Sequence, residues 1–172
     1  MKLNEGKPSK LPKSSLEKLQ AEFSTAYVHF FQLATALEPA RRNQPGVCGD
    51  WSPKEIISHL TGWDKSMQAF VLDPDVFDPP DDIDAFNAKS VSERQHLSWD
   101  ESIAELQAGF RGLQEAISTV TSDMRIYTRV SGWLKGRRED YDFHAGQLRA
   151  WIQQNGESST HSAGCARTSQ PL

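Results

Sequence analysis

Apolar residues recur at spacings of three and four along four segments of the chain, which is the period of an amphipathic helix. The segments span residues 15–37, 53–72, 99–120 and 137–153. The third segment is the most regular, with apolar residues at Trp99, Ile103, Leu106, Phe110, Leu113, Ile117 and Val120. No segment alternates with a period of two, so strands are not expected. Four helices with one apolar face each bury those faces together, which predicts an all-α, antiparallel four-helix bundle.

Capping boxes mark the starts of three of these helices. Each box has a serine before the helix and a glutamate three residues later, as in Ser14 with Glu17, Ser52 with Glu55 and Ser98 with Glu101. Such a pair satisfies two backbone N–H groups at the helix start. Pro53, at the first helical position, strengthens the second start. At the other end of the chain, Asn155 and Gly156 predict a helix stop.

A long connection, residues 73–98, joins the second and third predicted helices. Its first part, residues 73–84, carries six aspartates and three prolines, so we expect it to be irregular and solvated. Residues 83–97 predict a short helix that contains Phe86 and Asn87. A connection of this length inside a bundle is often functional. It also permits a crossover in place of a plain up-down order.

The composition indicates one domain, residues 14–154, in a chain of 172 residues with a net charge of −4. The polar ends, 1–13 and 155–172, are predicted to be disordered tails. The chain has no basic block and no apolar run of membrane-spanning length, so neither a nucleic acid nor a membrane is an expected partner. Cys48 and Cys165 are too few for a disulfide framework, and the default location is the cytoplasm.

His59 lies in the apolar face of the second helix, where a polar ring needs a partner. Asp140 and His144 are four residues apart on the fourth helix and therefore project from one face. With His59 they would supply three ligands and leave one position open, a set that suits zinc, iron or nickel. The simpler alternatives are hydrogen-bonded histidines at the edge of the core and, for Asp140, an acid that interacts with the helix dipole.

Further polar and aromatic side chains are candidates for a site around these three residues. The candidates for lining a substrate pocket are Trp63, Asp64 and Asn87. Tyr141 joins His59, Asp140 and His144 as a catalytic candidate. Tyrosine and tryptophan combine an apolar body with one polar group, which suits a pocket wall. Ordinary packing in the bundle is the alternative interpretation for all of them.

Four blocks of the sequence carry a family resemblance: WSPKEIISHLTGWD (51–64), FNA (86–88), LSWDE (97–101) and YDFHAGQLRAWI (141–152). Their order resembles the DinB/YfiT-like four-helix-bundle superfamily and, more narrowly, its ClbS/DfsB (DUF1706-type) branch. The resemblance implies a site near His59 and the last helix. Metal-binding members use one histidine on the second helix and an H-x-x-x-H pair on the last. His59 and His144 match two of these ligands, and Asp140 stands in the place of the third.

The resemblance also implies a class of chemistry for this protein. One branch resembles a hydrolase that opens a cyclopropane and so detoxifies a genotoxin, and other members are thiol-dependent transferases or isomerases. The expected function is that of a small bacterial cytoplasmic protein that acts on a small electrophilic molecule by positioning a water or a thiol. The alternative is a non-catalytic ligand-binding or stress protein, as a homodimer. A structural bundle without a site is a third interpretation.

Overall fold

The structure, a computed structural model, describes the backbone of residues 15–161 and the side chains of residues 15–155. Its elements are α1 (Ser15–Thr35), a 3₁₀ turn (Pro39–Arg41), α2 (Pro53–Leu72), α3 (Ile83–Ser92), α4 (Trp99–Ser118) and α5 (Tyr127–His161). The described residues form no strand, and the prediction of a helical bundle is confirmed. Residues 1–14 and 162–172 lie outside the described residues, and with them Ser14 and most of both predicted tails.

The long helices pack as two pairs, α1 with α5 and α2 with α4. Between the pairs, residue numbers rise along one helix as they fall along the other, as in His59 with His144, Asp64 with Tyr141, Gln20 with Gln114 and Tyr27 with Phe110. Within each pair the numbers rise together, as in Glu22 with Arg138, His29 with Arg149, Lys65 with Glu105 and Gln68 with Gly112. The bundle therefore has antiparallel interfaces between its pairs and parallel ones within them.

The connection from α2 to α4 is a crossover. It returns the chain to the end of the bundle where α2 begins, and the Nζ of Lys54 donates to the carbonyl of Gln95 at 2.9 Å there. The short predicted helix is present as α3, but it ends at Ser92 instead of residue 97. Tight turns after Ser92 redirect the chain toward Ser98, which starts α4.

The capping boxes predicted for α2 and α4 are confirmed. The backbone N–H of Glu55 donates to the Ser52 hydroxyl at 3.3 Å, and the N–H of Ser52 donates to the Glu55 carboxylate at 2.7 Å. Ser98 and Glu101 exchange the same two bonds at 3.2 Å and 2.7 Å. These bonds fix the start of both helices, so the side chains of α2 have a defined register toward the core.

The predicted bounds of the last helix are wrong at both ends, because α5 runs from Tyr127 to His161. Gly132 and Gly136 disfavour a helix by about 1 kcal/mol each. Burial of Val130 and Leu134, both fully inaccessible, outweighs that cost. At the other end the Nδ2 of Asn155 donates to the carbonyl of Trp151 at 2.8 Å, and the chain stays helical where a stop was expected. By contrast, α1 and α4 end only two residues before their predicted ends.

The core lies between the four long helices. Its fully buried apolar side chains include Phe23, Phe30, Ile56, Leu60, Met67, Leu106, Leu113, Leu134 and Leu148. Most of these residues occupy the periodic positions of the sequence, so the apolar faces predict the core well. Among the described helices, none combines the length and the apolar character needed to cross a membrane.

The α3 helix approaches α2 closely at Gly62. A methyl group at Gly62 would lie 2.7 Å from the Cβ of Ser90, which is shorter than real contacts between such atoms. Gly62 therefore lets α3 lie directly on α2 next to Trp63.

We expect Gly62→Ala to destabilise the fold, because overpacking at Ser90 costs about 1–3 kcal/mol and the gain in helix propensity is about 1 kcal/mol. Gly136→Ala is the matched control, since nothing lies within 4 Å of a methyl group at that position. The control should be neutral or slightly stabilising in urea unfolding. Equal unfolding free energies for the two variants would contradict the close approach of α3.

Candidate functional site

His59, Asp140 and His144 lie together where α2 crosses α5. One ligand atom from each residue lies within 4.8 Å of the others. The Nε2 of His59 is 3.3 Å from Oδ2 of Asp140, and the Nε2 of His144 is 3.4 Å from Oδ1 of the same carboxylate. The two imidazole rings are 5.1 Å apart and nearly perpendicular. Two histidines on different helices therefore converge on one carboxylate.

The site is buried on its histidine side and open on its carboxylate side. Both histidines are buried, whereas 28% of the Asp140 side chain is exposed. The rings of Trp51 and Phe143 lie 5.2 Å from His59 and 5.3 Å from His144, and Phe143 is exposed. The exposed edge of Asp140 is therefore the part of this cluster that solvent reaches.

Asn87 contacts His59 from the side opposite Asp140, and Trp63 contacts Asn87. The Nδ1 of His59 lies 3.0 Å from Oδ1 of Asn87. The indole N–H of Trp63 donates to the same oxygen at 2.8 Å. The amide oxygen of Asn87 thus links the indole of Trp63 to His59, and the contact of these two residues with a substrate stays a prediction.

Gln147 contacts His144 in a similar way, and the sequence analysis missed it. Its Oε1 lies 2.9 Å from the Nδ1 of His144, and its Nε2 donates to the sulfur of Cys48 at 3.4 Å. Gln147 follows His144 by three residues on α5, so helical spacing could have identified it.

Arg137 is the second residue that sequence reasoning missed, and it is almost completely buried, with 3% of its side chain exposed. Its Nε donates to Asp64 at 2.9 Å, its Nη1 to Oδ2 of Asp140 at 2.5 Å and its Nη2 to the carbonyl of Leu60 at 3.1 Å. Every guanidinium nitrogen therefore has an acceptor. Arg137 follows Leu134 by three residues and precedes Tyr141 by four, and this periodicity on the buried face was the available signal.

Asp64 and Tyr141 lie deeper in the bundle, on the far side of Arg137. The Tyr141 hydroxyl donates to Asp64 at 2.6 Å, and both side chains are fully buried. The ring of Tyr141 packs edge-on against Phe23 and Phe30. Among the described hydrogen bonds, none joins Tyr141 to either histidine. The structure thus places these two candidates behind the histidines, and their predicted roles as catalyst and pocket wall stay untested.

Hydrogen bonds with the two histidines and the charge of Arg137 keep the carboxylate of the site ionised. Burial opposes the ionisation of Asp140, but hydrogen bonds with His144 and His59 and the charge of Arg137 together hold its pKa well below the usual range. For Asp64 burial is the largest influence and raises the pKa, against the opposing effect of Arg137. Asp140 is therefore available at neutral pH as an anionic ligand or as a partner for an imidazolium.

The sequence matches, over residues 24–151, the family described as the mycothiol maleylpyruvate isomerase N-terminal domain. The match spans most of the chain and includes His59, Asp140 and His144. The chain belongs to this family. The resemblance to the DinB/YfiT-like superfamily is thereby confirmed. No curated protein sequence matches the chain.

Solved structures show the same fold at low sequence identity. One is "Sibling Lethal Factor Precursor - DfsB", with a TM-score of 0.71 and 16% identity, covering 84% of this chain and 98% of that one. Another is an uncharacterised protein from Escherichia coli UTI89, with a TM-score of 0.69 and 17% identity, covering 85% and 96%. Both agree with the narrower resemblance to the ClbS/DfsB branch at the level of the fold.

We expect Arg137→Met to destabilise the fold by about 3–5 kcal/mol, because it leaves Asp64 buried without its charge partner. Arg138→Met is the matched control, since its side chain is 32% exposed, and it should change stability by less than about 1 kcal/mol. Urea unfolding followed by circular dichroism measures both. Similar midpoints for the two variants would show that Arg137 does not compensate the buried carboxylate.

The core tyrosines predict a loss of stability at alkaline pH. Burial raises the pKa of Tyr27 to about 12 and that of Tyr141 well above 10. Because both hydroxyls hold their protons more tightly in the folded state, their contribution is complete below about pH 10 and is lost as the pH rises through the folded-state pKa.

Tyr141→Phe isolates the contribution of one hydroxyl. The difference in unfolding free energy between wild type and this variant should be constant from pH 7 to about pH 9 and should shrink above about pH 10. Urea unfolding at each pH, with phenolate absorbance as a second signal, measures it. A difference that grows with alkaline pH would contradict the protonated, buried hydroxyl.

Proposed function

We propose that this protein binds a divalent transition metal through His59, Asp140 and His144 and acts on a small electrophilic molecule. The observation that carries the proposal is the convergence of two imidazole Nε2 atoms on the oxygens of one carboxylate, 3.3 Å and 3.4 Å away. Two imidazoles and a carboxylate suit zinc, nickel or iron. Three protein ligands also leave a position open for water or substrate.

The spacing of the donor atoms supports a metal. Ligands about 2.1 Å from a tetrahedral zinc ion are separated by about 3.4 Å, which is close to both observed separations. The remaining nitrogen of each histidine faces an amide oxygen, Oδ1 of Asn87 or Oε1 of Gln147. Histidines that ligate metals usually donate their other N–H to such an acceptor. The three ligand side chains and the amide oxygens behind the histidines therefore fit a divalent transition metal.

A metal in this site would supply Lewis acidity and lower the pKa of a bound water. Residues of the chain would orient the ligands, exclude water and contact the small molecule. Arg137 orients Asp140 through the bond from Nη1, and its charge adds to the hydrogen bonds from His144 and His59 that keep Asp140 ionised. The buried histidines exclude water from the inner side of the site, and Trp51 and Phe143 offer apolar contact to a small molecule on the open side.

The site and the family support a small electrophilic molecule as the proposed substrate. An activated water would make the protein a hydrolase that detoxifies an electrophile, and a bound thiol would make it a thiol-dependent transferase. The family description, which names an isomerase of a small organic acid, supports chemistry on molecules of this size. Action in the cytoplasm and assembly as a homodimer remain predictions from the sequence.

A second candidate is acid–base chemistry without a metal. The observation in its favour is that Arg137 already donates to the carboxylate oxygen closest to His59. Asp140 and His59 would then act together as hydrogen-bonding and acid–base residues on a small molecule or water at the exposed edge of Asp140.

Metal analysis of protein purified without a histidine tag separates the two candidates. We expect about one equivalent of zinc, nickel or iron, its loss in His59→Ala and His144→Ala, and a lower melting temperature with chelator. Metal at 100 times its Kd would stabilise the fold by about 2.7 kcal/mol. The control His96→Ala changes an exposed histidine on the loop before α4 and should keep the metal.

Less than about a tenth of an equivalent, with no stabilisation when zinc is added, would exclude the metal site. Hydrolysis of a reactive electrophile that persists under those conditions, and is lost in His59→Ala, would support the acid–base candidate.

A further inference from the structure

We propose that the basic segment of residues 1–14 docks on an acidic, apolar surface at the end of the bundle where α1 begins. The segment lies outside the described residues. The surface, which we call the end surface, consists of Leu72, the loop of residues 73–82 and the turn of residues 119–126. The contact lies within one chain and does not depend on the function proposed above.

The end surface exposes large apolar side chains. Leu72 is 66% exposed, Val76 is 77% exposed and Met124 is 42% exposed. These three make up half of the large apolar side chains that are exposed among the described residues. Single exposed apolar residues are normal on a protein surface, whereas a group of them marks an interaction site.

Phe77 holds the loop of the end surface against the bundle. Its ring packs against Phe70 and Trp133, with centroids 5.5 Å and 5.7 Å away. The apolar interior of the loop is therefore already filled by Phe77. Leu72 and Val76 stay exposed although the loop between them and the core is anchored.

The start of α1 lies at the same end of the bundle. The hydroxyl of Ser15 is 2.6 Å from the hydroxyl of Tyr127, the first residue of α5. Two residues earlier, Arg125 forms an ion pair with Asp75 of the loop, which places Met124 beside the loop. Residues 1–14 therefore join the bundle next to the end surface. Fourteen extended residues reach at most about 46 Å, which is ample to cross this end.

The segment and the end surface carry opposite charges. Residues 73–84 contain six aspartates and no lysine or arginine. Of these aspartates, Asp75 is paired with Arg125 and Asp82 caps α3. Residues 1–14 contain four lysines and one glutamate, together with the apolar residues Leu3 and Leu11. A basic segment with two leucines complements a surface that combines aspartates with exposed apolar side chains.

Two prolines suit the segment to an extended mode of docking. Pro8 and Pro12 lack a backbone N–H and restrict the residues before them to extended conformations. The composition of the segment alone predicts disorder, because it has too few apolar residues to form a core. Docking would supply the missing apolar contact from the end surface. Because the charges involved are exposed, salt should weaken the contact.

Zero-length cross-linking of the full chain tests the contact. A carbodiimide joins a lysine amine to a carboxylate only where the two meet, and mass spectrometry identifies the joined peptides. We expect links within one chain between the aspartates of residues 73–84 and the lysines of the segment, Lys2, Lys7, Lys10 and Lys13. The yield should not depend on protein concentration. It should fall severalfold at about 1 M salt, where the Debye length is about 3 Å.

Substitutions of exposed side chains test the apolar part of the contact. The double variant Leu72→Ser, Val76→Ser should lower the yield of these links severalfold. Val28→Ser is the matched control, since Val28 is 46% exposed on α1 well away from its start, and it should leave the yield unchanged. Circular dichroism checks that both variants fold, and the wild-type links decide the question if the double variant does not.

Three results would overturn the proposal. The first is the absence of links between the segment and residues 73–84. The second is an even spread of links over exposed carboxylates on other faces, such as Glu139 on the outer side of α5. The third is links found only in cross-linked dimers, which would make a second copy of the chain the occupant of the end surface.

Discussion

The buried guanidinium of Arg137 connects the core of this bundle to its candidate site. Its three nitrogens donate to Asp64, to Asp140 and to the carbonyl of Leu60. Each bond crosses between α2 and α5 or holds a side chain at their interface. A slip of one helix by a turn would leave a buried charge without its partner, which is far more costly than losing apolar contact. The antiparallel register that brings His59 to His144 therefore depends on this residue.

The same interaction sets the charge of the site. With its pKa held well below the usual range, Asp140 presents a negative charge to both histidines, and Arg137 divides its hydrogen bonds between Asp140 and Asp64. Such a carboxylate attracts a cation, either a proton on an imidazole or a metal ion. This attraction explains why the two candidate functions share the same residues. They differ in which cation occupies the space between the histidines and the carboxylate.

Periodicity and spacing predicted much of this structure from the sequence. The apolar faces of α1, α2 and α4 predicted the core, and the capping boxes at Ser52 and Ser98 predicted where two helices start. The spacing of Asp140 and His144 predicted that they share a face. Local sequence signals did not predict the bounds of α5. The glycines and the Asn155-Gly156 pair report only local conformational preference, whereas the burial of Val130 and Leu134 depends on the rest of the bundle.

Arg137 and the role of Asn87 could not be predicted for a related reason. An arginine near a predicted helix start is normally solvated, and its burial becomes favourable only when two carboxylates from different helices meet it. Asn87 lies in one of the four sequence blocks and was a candidate pocket residue. Its hydrogen bond with His59, however, depends on the crossover that returns α3 to α2. Sequence spacing along one helix cannot report a contact made by an element from another part of the chain.

The crossover also explains why this topology suits a site of this kind. In a plain up-down bundle a short loop would follow α2, and no third element would lie against the outer side of His59. Here Asn87 of α3 covers that side, with Phe86 packed on Trp63 beside it, while α5 covers the inner side with Asp140 and His144. The imidazole is thus held on both nitrogens by rigid helices. The remaining open direction is the exposed edge of Asp140. Holding the histidine firmly and leaving one face open are requirements that a metal ligand and a general base have in common.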